Sequence, residues 1–357
     1  MRLIFPAAFM LGLLLAACAA PMPTIDDHLA AGRAALDAGD TATAVAEFEA
    51  AVAIEPTRAE AQVLLGQAYY AAGRVDDARE RLQTGLRQDA SNAAAQYLLG
   101  DLAMDAGQPL EAAVAYAAAV RLDPDARPAH PKIDQSVEAA LEAGRNAVKA
   151  GQWQQGITYL DAVLALRPDL VEARFSLGNA RFNLGEFAAA KAAYEAVLRI
   201  DSMYAPAMTN LGVVAYQSGD LEQAISLFRQ ALAIEPDDFE TLYLLGAAYL
   251  NQDRRDAARQ QFERALTLKP DMTQAHIGLG NVHLLDKEYD RAAATLQRAL
   301  ELAPNSPEAL FALGKTYAEM GRCADAVPTF KKFLEMNPLE PFKSDADKLL
   351  QTCAGGP

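Results

Sequence analysis

Small and large apolar residues recur along the chain with a period of 34 residues, and inside each period they follow helical spacing. The unit is clearest over residues 205–238, APAMTNLGVVAYQSGDLEQAISLFRQALAIEPDD. Leu211, Gly212 and Tyr216 fall at helical spacing on a first helix. Gly219 breaks the chain. Ala224, Phe228 and Ala231 follow at i, i+4 and i+7, so they share one face of a second helix. Pro236 ends that helix and opens the next turn. Gly212 and Ala224 have almost no side chain, so the two helices are expected to approach closely there, with Phe228 and Leu211 filling the space beside the contact. A single hairpin of this kind cannot bury its apolar face, so it needs copies above and below.

The copies are present. Numbering the unit 1 to 34, position 8 is glycine nine times, from Gly32 through Gly66, Gly100, Gly144, Gly178, Gly212, Gly246 and Gly280 to Gly314. Position 15 is glycine in seven units, with Asp253 and Lys287 as the exceptions. Position 20 is alanine in eight, with Gly156 in the ninth, and position 24 is always bulky, as in Phe48, Leu82, Tyr116 and Phe228. Position 32 is proline in seven, with Ala90 and Ser202 departing. This pattern resembles the tetratricopeptide repeat (TPR) family over 306 of 357 residues. The tryptophan that the family often carries at position 4 is absent throughout.

The resemblance implies an all-α fold: a right-handed superhelical solenoid of TPR helix hairpins with a C-terminal capping helix. In that family the first helix of each unit lines a concave face that holds a protein partner. The positions concerned carry Val63, Tyr70, Tyr97, Met104, Phe175, Asn179, Phe182, Thr209, Tyr216, Tyr243, Ile277, Asn281 and Phe311. Aromatic and aliphatic side chains flanked by amides suit an amphipathic helix or an extended segment of a partner. The other reading of the same residues is that they only pack neighbouring first helices together. The carboxylate clamp of chaperone-type members needs Lys at position 5 and Asn at position 9. Here Phe175 precedes Asn179 and Ile277 precedes Asn281, so no clamp for an acidic C-terminal peptide is expected.

The residue accounting constrains function further. Outside the repeats lie 24 leading, 10 inserted and 17 trailing residues, too few for a catalytic domain. No Ser-His-Asp order, HExxH or Gly-rich phosphate loop occurs, so no catalytic residue, cofactor or small-molecule substrate is expected. A net charge of −15 argues against nucleic acid and anionic headgroups as partners; a solvated outer face accounts for it equally well.

Residues 1–17 read as a targeting segment: Arg2, then an apolar run over 3–15 that is too short to span a bilayer comfortably. The run ends in Leu15-Ala16-Ala17-Cys18, which resembles the bacterial lipoprotein box. That likeness implies cleavage before Cys18, acylation of its thiol and amine, and a durable anchor. Ala19 in place of Asp then points to the outer membrane, facing the periplasm, if the source is Gram-negative; a Gram-positive source stays open. An ordinary signal peptide cut after Ala17 or Ala20 is the alternative. Residues 18–24 form a short tether. Repeats one to three occupy 25–126, an insertion RPAHPKIDQS with two prolines occupies 127–136, and repeats four to nine occupy 137–340. Proline restricts the residue before it, so the insertion is expected to be extended, as a plain loop or as a hinge between lobes. Pro328 is expected near the first turn of its helix, where it costs little. Residues 341–357 hold a capping helix, roughly 343–352, with Leu349 and Leu350 on its buried side.

Two cysteines remain once Cys18 is acylated. A lipoprotein leaves the cytosol, and a capping helix antiparallel to the last second helix brings Cys353 beside Cys323. A disulfide is the expectation, two free small residues the alternative, and no metal site is expected. Among His28, His130, His276 and His283, the last stands where the repeat usually has tyrosine and reads as a core residue. Trp153 reads as packing rather than ligand contact. The features together describe a lipid-anchored scaffold for assembly of a cell-envelope complex. Lipoproteins of similar build serve type IV pili, Tad pili and β-barrel assembly. An adaptor of peptidoglycan-active enzymes is the second reading.

Overall fold

The computed structural model describes residues 22–124 and 132–354. The Cys18 box, the leader and His130 lie outside these residues, as do most of the tether and residues 127–131 of the insertion. Among the described residues there are nineteen helices and no strand. They fall into two compact units, one reaching Ala140 and one beginning at Leu141.

The first unit holds three helix pairs: α1 (Ile25–Asp37) with α2 (Thr41–Ile54), α3 (Ala59–Ala71) with α4 (Val75–Gln88), and α5 (Ala93–Asp105) with α6 (Pro109–Leu122). Helix α7 (Lys132–Lys149) contributes residues to both units. In the second unit the remainder of α7 is followed by α8 (Trp153–Leu166). Then come α9 (Val171–Asn183), α10 (Phe187–Ile200), α11 (Ala205–Gln217), α12 (Leu221–Ile234), α13 (Phe239–Asn251) and α14 (Arg255–Leu268). The chain ends with α15 (Thr273–Leu285), α16 (Tyr289–Leu302), α17 (Pro307–Glu319), α18 (Cys323–Glu335) and α19 (Phe342–Ala354).

The sequence sets each joint locally. The turn inside every pair places position 15 in the left-handed region, at φ +83° for Gly219. The Asp220 amide then reaches the Ala215 carbonyl at 3.0 Å and the Gly219 amide the Tyr216 carbonyl at 3.0 Å, which satisfies the end of α11. Asp253 and Lys287 adopt the same conformation without being glycine, at φ 56° and 61°. Side chains cap the helix starts where the sequence supplies them. Thr24 and Asp27 form a capping box on α1. The Asp40 carboxylate accepts the Thr43 amide, and Asp220 accepts that of Gln223, both at 3.0 Å.

The contact that fixes each pair differs from the expected one. A Cβ on Gly212 would meet not Ala224 but the Phe228 ring, with Cε1 at 2.6 Å. The same contact recurs as Gly32 on Phe48, Gly178 on Tyr194 and Gly314 on Phe330. The glycine is therefore the seat of the position-24 side chain, and Phe48, Phe228 and Phe330 are fully buried on those seats. In the first unit Phe48 and Leu82 lie within one core that runs from Leu29 to Leu102. In the second such side chains lie in successive cores, around Tyr194, around Phe228 and Phe262, and around Phe330.

Two local expectations are corrected. Residues 132–136 of the insertion are helical, forming the start of α7, rather than extended. Pro328 is the sixth residue of α18, because that helix begins at Cys323, so it lies inside the helix and no amide reaches the Ala324 carbonyl from that position. On α19 Leu349 and Leu350 pack against the last core as expected, beside the fully buried Ala346.

Candidate functional site

The first helices contribute two kinds of side chain to the face read as a partner groove. Position 5 points into the pair. Val63 and Tyr97 are buried, at 5% and 7% exposure, and so belong to the core rather than to an open face. The Phe175 ring lies 5.9 Å from Tyr194, Tyr243 lies 6.0 Å from Phe262, and Phe311 lies 6.2 Å from Phe330. Each rests on the bulky residue at position 24 of its own repeat. Phe311 is further covered by Phe342 of α19, with ring centroids 5.3 Å apart. Thr209 is tied sideways, its hydroxyl 2.8 Å from that of Thr241.

In the first unit Met104 is half-buried. The Tyr70 hydroxyl donates to Asp105 at 2.6 Å, and Lys132 donates to the same carboxylate at 2.5 Å. The Lys132 ammonium and the Tyr70 hydroxyl hold that carboxyl below its ordinary range. A residue of the insertion thus closes over this end of the face, a contact no periodicity could reveal.

On this face the second unit carries two cavities. A cavity of about 350 Å³ is lined by Val148, Asn179, Phe182, Asn183, Tyr194 and Asn210 together with Val213. Tyr194 and Asn210 both donate to Asn179 Oδ1 at 2.8 Å. With that oxygen occupied, the N–H groups of the Asn179 amide and the Asn210 oxygen are what these two bonds leave over. Burial pushes the Tyr194 phenol well above its ordinary value, so it stays a neutral donor. The second cavity, about 560 Å³, includes Tyr243, Leu250, Asn251, Ile277, Asn281 and Glu308 in its lining. Asn251 donates to the Tyr216 hydroxyl at 2.6 Å, which fixes the amide at its rim. Both cavities join an apolar wall to fixed amides, an arrangement that suits a peptide chain with an apolar side chain. Asn210 and Glu308 were not among the residues read from the sequence. Asn210 occupies position 6, which the repeat pattern does not single out, so its bond to Asn179 is what marks it.

Sequence models described as tetratricopeptide repeat match residues 35–102 and 283–341, 141–202, 177–239 and 243–307, and 93–126. The chain belongs to the tetratricopeptide repeat family. No curated protein sequence matches it. Among solved structures it is similar to that of Pseudomonas aeruginosa pilF, 18% identical over 60% of this chain and 98% of that one, with a TM-score of 0.55. It is also similar to MamA of Desulfovibrio magneticus RS-1, 20% identical over 48% of this chain and 96% of that one, with a TM-score of 0.44. The pilF likeness is one of fold. TPR proteins bind protein partners, and their fold is typically an interaction scaffold rather than a catalytic one.

The remaining sequence-read residues are also located. Cys323 and Cys353 are joined in a disulfide, with Cα atoms 5.2 Å apart. His283 is buried with Nδ1 2.7 Å from Glu288, and His276 faces the Pro270 carbonyl at 2.9 Å. Trp153 is half-buried at the start of α8. Among the described residues no three His, Cys, Asp or Glu side chains are grouped to hold a metal ion. None of the described helices is long and apolar enough to cross a membrane.

Proposed function

We propose that this TPR chain is a lipid-anchored interaction scaffold that assembles a cell-envelope complex such as a pilus, secretion or polysaccharide-export machine. The partner segment seats on the first-helix face of the second unit. The observation that carries this is the pair of cavities around Asn179 and Asn281, where fixed amides and an apolar wall stand together. The anchor rests on the lipoprotein-like box ending at Cys18, and the outer-membrane, periplasmic location rests on Ala19. The protein acts by holding partners and has no turnover of its own. A peptidoglycan-enzyme adaptor is favoured instead if the bound surface is basic, because Glu308 lines the larger cavity.

Site-specific photo-crosslinking in living cells tests the reading. The probe replaces Phe182 or Asn281, with Thr158 on α8 as an exposed control. Tyr97 is unsuited because it is buried. One discrete protein adduct from either cavity and none from Thr158 is the expected outcome. A peptidoglycan hydrolase or synthase in that adduct moves the function to the adaptor reading. Adducts from the control alone refute the site. Replacement of Cys18 by Ser is expected to abolish labelling by a palmitate analogue and to release the protein from membranes; unchanged labelling refutes the anchor.

A further inference from the structure

The second-helix face of the second unit has a chemistry the first-helix face lacks. Two adjoining cavities, about 480 and 290 Å³, share Arg229 and Ala233 of α12; the first is completed by the turn between α13 and α14, the second by α13 and α14. Arg254 lines the first and Arg264 the second. Leu232 is half-buried in the wall of the second, while Ile225, Leu245 and Tyr249 stand buried behind the linings. One carboxylate, Glu222, stands among the lining residues, and its Oε1 accepts Gln252 Nε2 at 2.8 Å.

Two of the three guanidinium groups keep all their donors, and the third spends one. Arg229 makes no hydrogen bond or ion pair among the described residues. The Arg254 guanidinium lies over the Tyr249 ring, 4.4 Å from its centroid, which engages its face and leaves its N–H edges open. Arg264 uses Nη2 on the Pro236 carbonyl at 3.0 Å. In a chain with 47 acidic and 32 basic side chains, a guanidinium has many carboxylates to choose from, and others take them. Arg181 pairs with Glu186, Arg298 with Glu301 and Arg322 with Asp325.

We propose that this face is a second docking groove, in which Arg229, Arg254 and Arg264 bind carboxylates of an acidic, leucine-bearing segment of a protein partner. The forked guanidinium matches a carboxylate in two parallel bonds, and the half-buried Leu232 with the exposed Ala233 gives an apolar side chain between them a contact. The field of the whole chain selects the occupant. A net charge of −15 repels an extended anionic surface such as a phospholipid bilayer, whose charges act together. A short peptide feels chiefly the charges within a Debye length of about 8–10 Å, and three arginines and one carboxylate line these two cavities. The groove would let the scaffold hold an acidic partner on one face while the first-helix face holds another.

The test uses the full-length protein in detergent and a fluorescein-labelled peptide alternating Glu and Leu, read by anisotropy. A peptide with Gln for Glu is the first control. Arg229→Gln with Arg254→Gln is the variant, Arg298→Gln is the remote control, and far-UV circular dichroism checks folding. The Glu peptide is expected to bind, more weakly as salt rises. The double variant is expected to weaken it about tenfold or more, which is a loss of at least ~1.4 kcal/mol. Arg298→Gln and the first-helix variant Asn281→Ala should leave the affinity unchanged, which separates this groove from the site proposed above. Arg229→Lys, which keeps the charge but loses the fork, should fall between. Equal binding of the Gln peptide, no binding of the Glu peptide, or an unchanged affinity in the double variant overturns the proposal. So does a double variant that loses phosphatidylglycerol vesicles but keeps the peptide, an outcome that assigns the arginines to a membrane surface.

Discussion

Replacing Lys287 by glycine is expected to stabilise the protein by about 0.5–1 kcal/mol, although it removes a charged side chain and adds a flexible residue. Lys287 occupies the turn position that is glycine in seven repeats, and it holds φ at 61° there. A left-handed backbone costs an L-residue about 1–2 kcal/mol through contact of Cβ with the carbonyl that follows. Glycine removes that strain but returns about 0.5–1 kcal/mol through the greater freedom of the unfolded chain. The side chain itself contributes little, because Lys287 is exposed and makes no ion pair among the described residues. The reciprocal change, Gly219→Lys, isolates the same quantity with the opposite sign. Gly219 has φ +83°, and a Cβ there meets nothing within 4 Å, so its cost of about 1 kcal/mol comes from the backbone alone. Urea unfolding followed by circular dichroism gives both values, and hydrogen exchange of the Glu288 amide, which bonds the His283 carbonyl at 2.8 Å, localises the first. If Lys287→Gly destabilises while Gly219→Lys is neutral, the turn does not discriminate on φ and the reasoning fails.

Other perturbations read other parts of the structure. Gly212→Ala should destabilise by about 1–3 kcal/mol, since its Cβ would stand 2.6 Å from a fully buried phenyl ring, and a loss below half a kcal/mol would show that the seat yields. Reducing the Cys323–Cys353 disulfide, which closes a separation of 30 residues, should cost about 3–4 kcal/mol and raise hydrogen exchange across α19 first; uniform exchange through the second unit would contradict a local staple. Glu288 is held below its usual pKa by its hydrogen bond to His283 and by Arg259, so its contribution is present above the ordinary carboxylate pKa and fades as pH falls through the lowered value. The Glu288→Gln variant should flatten that part of the stability–pH curve, and a curve identical to the parent's would remove Glu288 from the account. Asn179→Ala should abolish the adduct from a probe at Phe182 while leaving the one from Asn281, because the bonds that orient Asn210 and Tyr194 meet at Asn179.

The repeat was legible because its constraints are local and recur. Gly219 and Pro236 act within a few bonds of themselves, and copies at one period make each signal additive. The partner of the position-8 glycine was less legible. Ala224 and Phe228 both lie on the inward face of α12, and only the crossing of α11 over α12 puts the ring rather than the methyl group on Gly212. The insertion was misread for a different reason. Its prolines disfavour helix in the residues before them, but Lys132 follows the last one, and a residue after proline is free to begin a helix. Pro328 inverts the case: a helix start displaced by one residue moves it beyond the first turn, within the usual error of a sequence-drawn boundary.

The groove shows where such reading ends. Positions 5 and 12 are apolar in almost every repeat, and a helix that packs on its own partner and on its neighbour needs both. Tyr97 and Tyr243 stand at the same repeat position, each resting on the aromatic ring at position 24. Yet Tyr97 is buried, with its hydroxyl 3.3 Å from the Asp123 carbonyl, while Tyr243 lines an open cavity. The difference comes from what stands beside them. Around Tyr243 the neighbouring first helix carries Gly278 at position 6, where a Cβ would meet the Phe262 ring at 2.6 Å. A small residue there lets that ring seat deeply and leaves space in front of Tyr243, in the cavity that Gly278 itself lines. Function in such a chain is therefore written less in the residues that repeat than in the places where a neighbour fails to fill the standard space. Placing Leu at Gly278 should displace Phe262 and close the cavity together, whereas Ile277→Ala should enlarge the cavity without moving the ring. Crosslinking from Asn281 that is lost in the first variant and kept in the second is the expected pattern; loss in both would mean that the Ile277 side chain, and not the space, is what the partner recognises.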